Sequence, residues 1–262
     1  MKDCSSAADG ASSQNLQSPP PRSLFLPEDC GGPGPGGETT QIDGCEFPDD
    51  LLYERDGLVW VRRDPSGDVV LGITSLHAAV AGRLTKVQGR GVGSEYAAGK
   101  SIGTLEGGRY FGAIRTPIRG TLLTVNEAVL ATPKLLSERP YGDGWFARLR
   151  PLDWEADRSS LAPAAEAQES LAAQRAALHV HCFAAFPDYE LFEIGTECTA
   201  VLAKLDEALA HASEGEIVHL VSDDWTAPAE MVNWSRRTGN PIVEQRKEGN
   251  LYHFLVRKTT WD

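Results

Sequence analysis

The sequence lacks the features that would place it in a membrane or on nucleic acid. No apolar run approaches the roughly 20 residues of a membrane-spanning helix, and the opening stretch MKDCSSAADG has acidic residues and no apolar core. No cluster of Lys and Arg offsets the formal net charge of −12, so a phosphate-binding surface is not expected. We therefore predict a soluble, cytoplasmic protein whose partners are proteins or small molecules, with no nucleic-acid or membrane partner.

The cysteines lack any pairing pattern. Their number is odd, and no two of them stand in a CxxC spacing. Neither a disulfide framework nor a zinc knuckle is therefore predicted, and at least one thiol is expected to stay free. The cysteines are Cys4, Cys30, Cys45, Cys182 and Cys198.

Composition divides the chain into four parts. Residues 1–44 are rich in Ser, Pro and Gly and have no periodic apolar positions, which predicts a disordered tail whose cysteines are incidental thiols. Residues 155–178 are rich in Ala, Glu and Gln, which predicts a partly helical linker. The remaining residues form two modules, residues 45–154 and residues 179–262.

The first module is predicted to be all-β. Short stretches of alternating apolar and polar residues are separated by Gly and Pro turns, as in a small β sandwich or flattened barrel. Two short helices are expected, in SLHAAVAG and NEAVLATPKLLSE. Cys45 is interpreted as a small apolar filler, with a redox role as the alternative. Four aromatic residues are expected in the core or at its rim: Trp60, Phe111, Trp145 and Phe146.

A hairpin stands out in this module, in the stretch GTLEGGRYFGAIRTPIRG. Its halves predict strands over residues 101–106 and 110–115. The pair Gly107–Gly108 is of the sort that supplies positive φ in a tight turn. The sequence therefore places Arg109 at the hairpin tip.

Residues 45–154 resemble the H protein of the glycine cleavage system and its lipoyl-carrying relatives. The resemblance rests on GITS followed by LHAAVAGRLTKVQ, on the hairpin, and on VNEAVLATPKLLSERPYGDGWFARLRP. It implies a lipoyl/hammerhead-type β sandwich-barrel. The stretch GCEFPDDLLYERDGLVW looks closer to the H-like lipoate-binding proteins associated with heterodisulfide-reductase-type sulfur oxidation. Lipoate-handling or heterodisulfide-reductase-like enzymes are therefore implied as partners.

In that family the hairpin displays a lipoylated lysine, and the resemblance places Arg109 at its position. Lipoylation needs a deprotonated amine, whereas a guanidinium stays protonated, so lipoate is predicted to be absent. Lys86, in a predicted strand, and Lys100, at the opposite end of the hairpin, are not at the tip. Two interpretations of Arg109 stay open: an anchor for an anionic partner, or a solvated turn residue.

The second module is predicted to be a two-layer α/β sandwich. HVHCFAAF, ELFEIG, EIVHLVSDD and the two halves of NPIVEQRKEGNLYHFLVRK indicate strands. CTAVLAKLDEALAHA and APAEMVNWSRRTG indicate helices. The order β-α-β-α-β-β predicts helices on one face of a mixed sheet.

Cys198 is the candidate reactive residue of this module. It stands in the first turn of a predicted helix whose apolar residues Val201, Leu202, Leu205 and Leu209 recur at helical spacing. The positive end of the helix dipole and the unpaired N–H groups favour a thiolate there. The adjacent Glu197 acts in the opposite direction. A buried cysteine without chemistry is the alternative.

Residues 186–258 resemble the TusA family of small sulfur carriers. The resemblance rests on EIGTECTAVLAKLDEALA, on EGEIVHLVSDDWTAPAEMVNWSRRTGN and on LYHFLVRK, and it implies that Cys198 carries a persulfide. Thr199, Ala200 and Val201 follow Cys198 in place of the family's Cys-Pro-x-Pro. Asp223 and Asp224 are interpreted as caps of the second helix.

The stretch HVHC does not predict a metal site. On a strand, His179 and His181 share one face and Cys182 lies on the other, so the three do not converge. No metal ligand is assigned.

These observations lead to one main functional prediction and two alternatives. The main prediction is a carrier or sulfurtransferase-like protein that relays persulfide sulfur on Cys198 between donor and acceptor proteins. The first alternative is a non-catalytic adaptor that docks lipoate- or sulfur-handling enzymes. The second is a glycine cleavage H-like component, which Arg109 disfavours.

Overall fold

The computed structural model describes residues 38–108 and 110–259. Residues 1–37, Arg109 and residues 260–262 lie outside the described part. Most of the predicted tail, with Cys4 and Cys30, therefore lies outside it as well.

The described chain begins with a hairpin of β1 (Thr39–Ile42) and β2 (Cys45–Pro48). Its turn residues Asp43 and Gly44 have φ of 48° and 85°, the conformation that Asp-Gly pairs adopt in tight hairpins. Within the described residues, regular structure therefore begins at Thr39, ahead of the boundary predicted at residue 45.

The first module is an antiparallel β structure with short helices, as predicted. Its elements are β3 (Leu52–Tyr53), β4 (Val59–Arg63), β5 (Val69–Ile73), α1 (Ser75–Ala81), β6 (Leu84–Gly89), β7 (Glu95–Tyr96), β8 (Ser101–Gly107), β9 (Phe111–Arg115), β10 (Gly120–Val125), α2 (Glu127–Ala131), α3 (Leu135–Glu138), β11 (Ala147–Pro151) and β12 (Ala162–Pro163). One sheet has the strand order β12-β3-β4-β5-β11-β10-β7, and a second has the order β6-β8-β9.

Three of the four aromatic residues predicted in the core or at its rim lie there. Trp60 and Phe146 are fully buried and Trp145 is half-buried. Phe111 is 73% exposed, which corrects the prediction. It lies on β9, the edge strand of the three-stranded sheet, where only Ile114 is buried.

Residues 155–178, predicted as a partly helical linker, hold most of α4 (Trp154–Arg158) and all of α5 (Ala164–Leu178). Ala164, Ala167 and Leu171 of α5 are buried in one cluster with Phe47 and Leu51. The small alanine side chains let α5 lie close to the first module, so this segment is packed rather than extended.

The second module has the predicted order and a mixed sheet. Its elements are β13 (Tyr189–Glu193), α6 (Cys198–His211), β14 (Ile217–Ser222), α7 (Ala227–Thr238), β15 (Ile242–Glu248) and β16 (Leu251–Arg257). The strand order is β13-β14-β16-β15, in which β13 is parallel to β14 and the other pairs are antiparallel.

Residues 179–186 are not a strand, contrary to the prediction. His179 ends α5 in the left-handed conformation, with φ of 53°, as at many helix C-termini. Cys182 forms a disulfide with Cys45, with a Cα–Cα distance of 4.8 Å. The Phe183 ring lies 4.6 Å from the His219 ring on β14. The segment is therefore held by a covalent bond and side-chain packing rather than by a strand ladder.

No helix in the described part of the chain is long and apolar enough to span a bilayer.

Candidate functional site

Cys198 is the first residue of α6. The preceding residue Glu197 has extended backbone angles, and its carbonyl accepts hydrogen bonds from Ala200 N and Val201 N at 3.0 and 3.1 Å. Its carboxylate makes no capping hydrogen bond to the described helix start. The first-turn N–H groups at Cys198 therefore have no side-chain cap from Glu197.

The apolar face of α6 fixes this helix start against the sheet. Val201, Leu205 and Leu209 are buried in the core of the second module, together with Val218 and Phe254. Leu202 is half-buried at its edge. The predicted helical spacing is therefore present.

The nearest cation along α6 is engaged by a carboxylate. Lys204 Nζ lies 2.6 Å from Glu193 Oε2 at the end of β13. The hydrogen bond from Lys204 is the largest cause that lowers the pKa of Glu193. Glu197 is exposed to solvent. The surroundings of the helix start are thus net acidic, since Lys204 and Glu193 compensate each other.

Two loops meet at the sheet edge where Cys198 follows β13. Asp223 Oδ1, just after β14, accepts a hydrogen bond from Gly195 N at 2.8 Å. Asp224 Oδ1 accepts from both Thr226 N and Thr226 Oγ1, each at 2.8 Å. The two carboxylates therefore order the loops, whereas the sequence assigned them to capping of α7.

The predicted hairpin is present as β8 and β9, although Arg109 at its tip lies outside the described residues. Gly107 N donates to Tyr110 O at 2.8 Å and closes the hairpin. Lys86 lies on β6, with Nζ 3.5 Å from Glu106 Oε1. Lys100 precedes β8 at the opposite end. Neither lysine is at the tip.

A buried histidine supports the residue next to the tip. His77 Nε2 lies 2.9 Å from Tyr110 Oη, and His77 Nδ1 lies 3.2 Å from Leu58 O. Because a carbonyl only accepts, Nδ1 carries the proton, and Tyr110 donates to Nε2. Burial lowers the pKa of His77 to about 4. Tyr110 is therefore held by a neutral imidazole.

The hairpin tip and the second module line one cleft of about 1080 Å³. Gly108 and Tyr110, on either side of Arg109, contribute one wall. Tyr189, Glu190 and Phe192 of β13 contribute another. Gly108 and Tyr110 of the hairpin thus line a cleft that is also lined by β13, the strand that precedes Cys198.

The histidines of HVHC do not meet Cys182 at a metal site. His181 Nδ1 lies 3.2 Å from Glu248 Oε2, while the Cys182 sulfur is bonded to Cys45. Within the part of the chain that the structure describes, no group of three His, Cys, Asp or Glu side chains is arranged to hold a metal.

The disulfide corrects the interpretation of Cys45 as a small apolar filler and the expectation that the cysteines show no pairing. Its partner is 137 residues away, and no spacing in the sequence indicated the pair. Phe192, Ile194 and Trp225 are also exposed, which was not predicted from the sequence. Residues of β13 alternate between the two faces of the sheet, so Phe192 shares a face with the exposed Glu190. This alternation was the only signal in the sequence for the exposure of Phe192 and Ile194, because polar residues are expected at exposed positions of a strand.

Two family models match the chain. The glycine cleavage H-protein model matches residues 51–174, and the sulfurtransferase TusA model matches residues 193–258. The two matches do not overlap. The first covers most of the first module and continues to residue 174, through α4 and most of α5, and the second lies within the second module.

Individual proteins match the first module. Glycine cleavage system H protein 5 of Aquifex aeolicus is 35% identical over 135 residues, which cover 50% of this chain and 90% of that protein. Probable glycine cleavage system H protein 3 of Saccharolobus solfataricus is 34% identical over 126 residues, which cover 48% and 89%. A crystal structure of a glycine cleavage system H protein from Mycobacterium marinum matches 47% of this chain and 97% of that chain, with 29% identity and a TM-score of 0.41.

Proposed function

Because the chain belongs to the glycine cleavage H-protein family and joins that domain to a TusA-like sulfurtransferase domain, we propose that it is a sulfur carrier that holds persulfide sulfur on Cys198. The observation that carries this proposal is the position of Cys198 as the first residue of α6, inside the TusA match. The uncapped N–H groups of the first turn and the helix dipole favour a thiolate at that position.

The transfer needs no further catalytic group. The Cys198 thiolate attacks the outer sulfur of a donor persulfide, R–S–S–H. The donor's S–S bond breaks, its inner sulfur leaves as a thiolate, and Cys198–S–S–H forms with the proton on the transferred sulfur. Delivery to an acceptor thiolate is the same exchange in the opposite direction, so no external oxidant or reductant is consumed.

The residues present do not fit a lipoyl group at the hairpin tip. Arg109 offers no acylable amine. The two neighbouring lysines are elsewhere, since Lys86 is beside Glu106 on the sheet and Lys100 is at the far end of the hairpin. We therefore propose that the first module acts without lipoate and docks enzymes that handle lipoyl carriers. Arg109 would then anchor an anionic group of such an enzyme.

Intact-protein mass spectrometry under non-reducing conditions tests the proposal. The purified full chain is incubated with a cysteine desulfurase or a rhodanese and its sulfur source, and separately with a lipoyl ligase and lipoate. We expect one added sulfur in the first incubation and no lipoyl adduct in the second. The added sulfur should be absent from the Cys198→Ser variant.

A Cys4→Ser/Cys30→Ser variant is the matched control and should still gain the sulfur. Retention of the added sulfur by Cys198→Ser, or its absence with several active donors, would overturn the carrier proposal. A lipoyl adduct would show that our interpretation of Arg109 is wrong.

A non-catalytic adaptor is the second candidate. It is favoured by Arg109 at the lipoyl position, by the absence of prolines after Cys198 and by the exposed carboxylate of Glu197. An adaptor would be indifferent to Cys198→Ser in a functional assay, whereas a carrier would lose function and keep its partners. The names of the relatives also favour a glycine cleavage H-like component, which the lipoyl ligase incubation tests.

A further inference from the structure

Three large apolar side chains are exposed at the sheet edge that leads to Cys198. Phe192 is 61% exposed, Ile194 53% and Trp225 81%. Phe192 is near the end of β13, Ile194 follows it, and Trp225 follows β14. We refer to these three residues as the apolar edge.

Strand pairing and one hydrogen bond between loops place the three residues of the apolar edge at the same end of the sheet. β13 and β14 are parallel neighbours, with Glu193 opposite Ser222 at their ends. The loops that follow are joined by the 2.8 Å hydrogen bond from Gly195 N to Asp223 Oδ1. The first loop carries Ile194 and runs directly into Cys198, so the apolar edge borders the start of α6.

Trp225 is held outward by its own turn. Its neighbours Asp224 and Thr226 are joined by two hydrogen bonds of 2.8 Å. An indole has one of the largest apolar surfaces of any side chain, so leaving Trp225 exposed gives up a large stabilisation from burial. Exposed apolar groups that cluster at one place commonly mark a binding surface, and tryptophan is among the residues that dominate such surfaces energetically.

Two acidic residues lie in the loops that carry the apolar edge. Glu197 is exposed at the start of α6, and Asp223 is half-exposed after β14. Glu190, earlier on β13, lies with Oε1 3.9 Å from His219 Nδ1. Lys204 is paired with the buried Glu193. A surface that complements this edge is therefore apolar at its centre and basic at its rim.

We propose that the apolar edge is the docking surface for a sulfur-donor protein that presents its cysteine on an apolar surface with a basic rim. The proposal rests on the proposed function, since it names the partner that reaches Cys198. Trp225 supplies the central contact, and the carboxylates of Glu197 and Asp223 select the basic rim.

Thiol exchange on Cys198 with activated peptides tests this surface. The full chain carries Cys4→Ser and Cys30→Ser, so Cys198 is the thiol to be followed. Short peptides contain one cysteine as its mixed disulfide with thionitrobenzoate, flanked by Arg and Leu, by Glu and Leu, or by Arg and Ser. The thionitrobenzoate mixed disulfide of mercaptoethanol is the reference, because it has the same leaving group and no docking residues.

We expect the Arg/Leu peptide to react faster than either other peptide, by about tenfold after division by the reference rate. Trp225→Ala should remove most of this advantage, and Glu197→Gln should remove the dependence on salt. Trp225→Ala should leave the reference rate within about twofold, whereas Glu197→Gln is compared only after division by its own reference rate, because removing the adjacent negative charge favours the Cys198 thiolate. Leu152→Ala is the matched control, because Leu152 is 55% exposed on the first module, and it should leave all rates unchanged.

The outcomes separate the two proposals. If the mercaptoethanol reagent does not modify Cys198, the carrier function itself fails. If that reagent reacts but the peptides do not differ, the carrier function stands and the docking surface is overturned. Sedimentation of the full chain supplies a further test, since self-association that is lost in Trp225→Ala would assign the apolar edge to a second copy instead.

Discussion

His77, which holds Tyr110 beside the hairpin tip, makes the stability of the folded state dependent on pH. It is almost fully buried, and burial lowers its pKa to about 4. In the unfolded chain its pKa is about 6.5. Between these values the unfolded state binds a proton that the folded state does not, so the folded state loses stability as the pH falls from about 6.5 to about 4. Above about 6.5 the full stabilisation is present.

Replacing His77 should therefore flatten the pH dependence of unfolding. Glutamine donates to Leu58 O and accepts from Tyr110 without titrating. Between about pH 6.5 and pH 4, His77→Gln should lose about 2–3 kcal/mol less free energy of unfolding than the unchanged chain. Urea titrations at several pH values measure this difference. Glu54, whose pKa burial raises to about 7, acts in the opposite direction but is common to both proteins and cancels. Parallel pH curves would contradict the prediction.

The hairpin of β8 and β9 depends on a close approach at its base. An added Cβ at Gly107 would lie 2.8 Å from the carbonyl oxygens of Ala81 and Arg83, both of them backbone atoms. Gly107 does not adopt the positive φ that the sequence suggested. It is required because α1 ends against it. A side chain there must displace either the hairpin or the end of α1.

Gly107→Ala should lower the free energy of unfolding by about 1–3 kcal/mol. Gly108→Ala is the matched control, because nothing lies within 4 Å of a Cβ at Gly108, and it should change the free energy by less than about 0.5 kcal/mol. Chemical unfolding of both variants measures the difference. Equal effects would show that the turn, rather than the close approach, sets the requirement for glycine.

Local sequence patterns predicted those strands and helices in which the buried residues recur at the regular spacing of a strand or a helix. The alternation in β11 and the 3.6-residue spacing in α6 correspond to real faces, and the second module has the predicted mixed sheet. Residues 179–186 have the alternation of a strand but no strand partner. Their conformation is fixed by Cys182 bonding to Cys45 and by Phe183 packing on His219. Such long-range contacts leave no local pattern in the sequence.

Local patterns also predicted the backbone of the candidate site, but they did not predict which side chains around it are exposed. Cys198 begins α6 as its spacing indicated. The exposure of Phe192 and Trp225 was not predictable, because apolar residues in a strand and beside a helix start are normally buried. Exposed apolar clusters are found instead at binding surfaces, which is why these residues carry the docking proposal.

The two modules are joined by charged contacts as well as by the chain. Arg83, which follows α1, lies 3.3 Å from Glu216 and stacks over the Tyr189 ring at 4.5 Å. Lys134, which precedes α3, lies 3.4 Å from Asp188. These partly exposed ion pairs contribute little each. The Cys45–Cys182 disulfide is therefore expected to be the strongest single connection between the hairpin β1–β2 and the second module.

Reduction of this disulfide should destabilise the chain while leaving both modules folded. Opening a loop of 137 residues restores entropy to the unfolded state, which typically costs 2–5 kcal/mol, or about 5–15 °C in melting temperature. Calorimetry with and without a phosphine reductant measures the shift, and a non-reducing peptide map should recover the Cys45–Cys182 linked peptide. Cys45→Ser/Cys182→Ser should melt at the reduced protein's temperature and should not respond to reductant. A reductant-induced shift of equal size in that variant would instead place the effect on another cysteine.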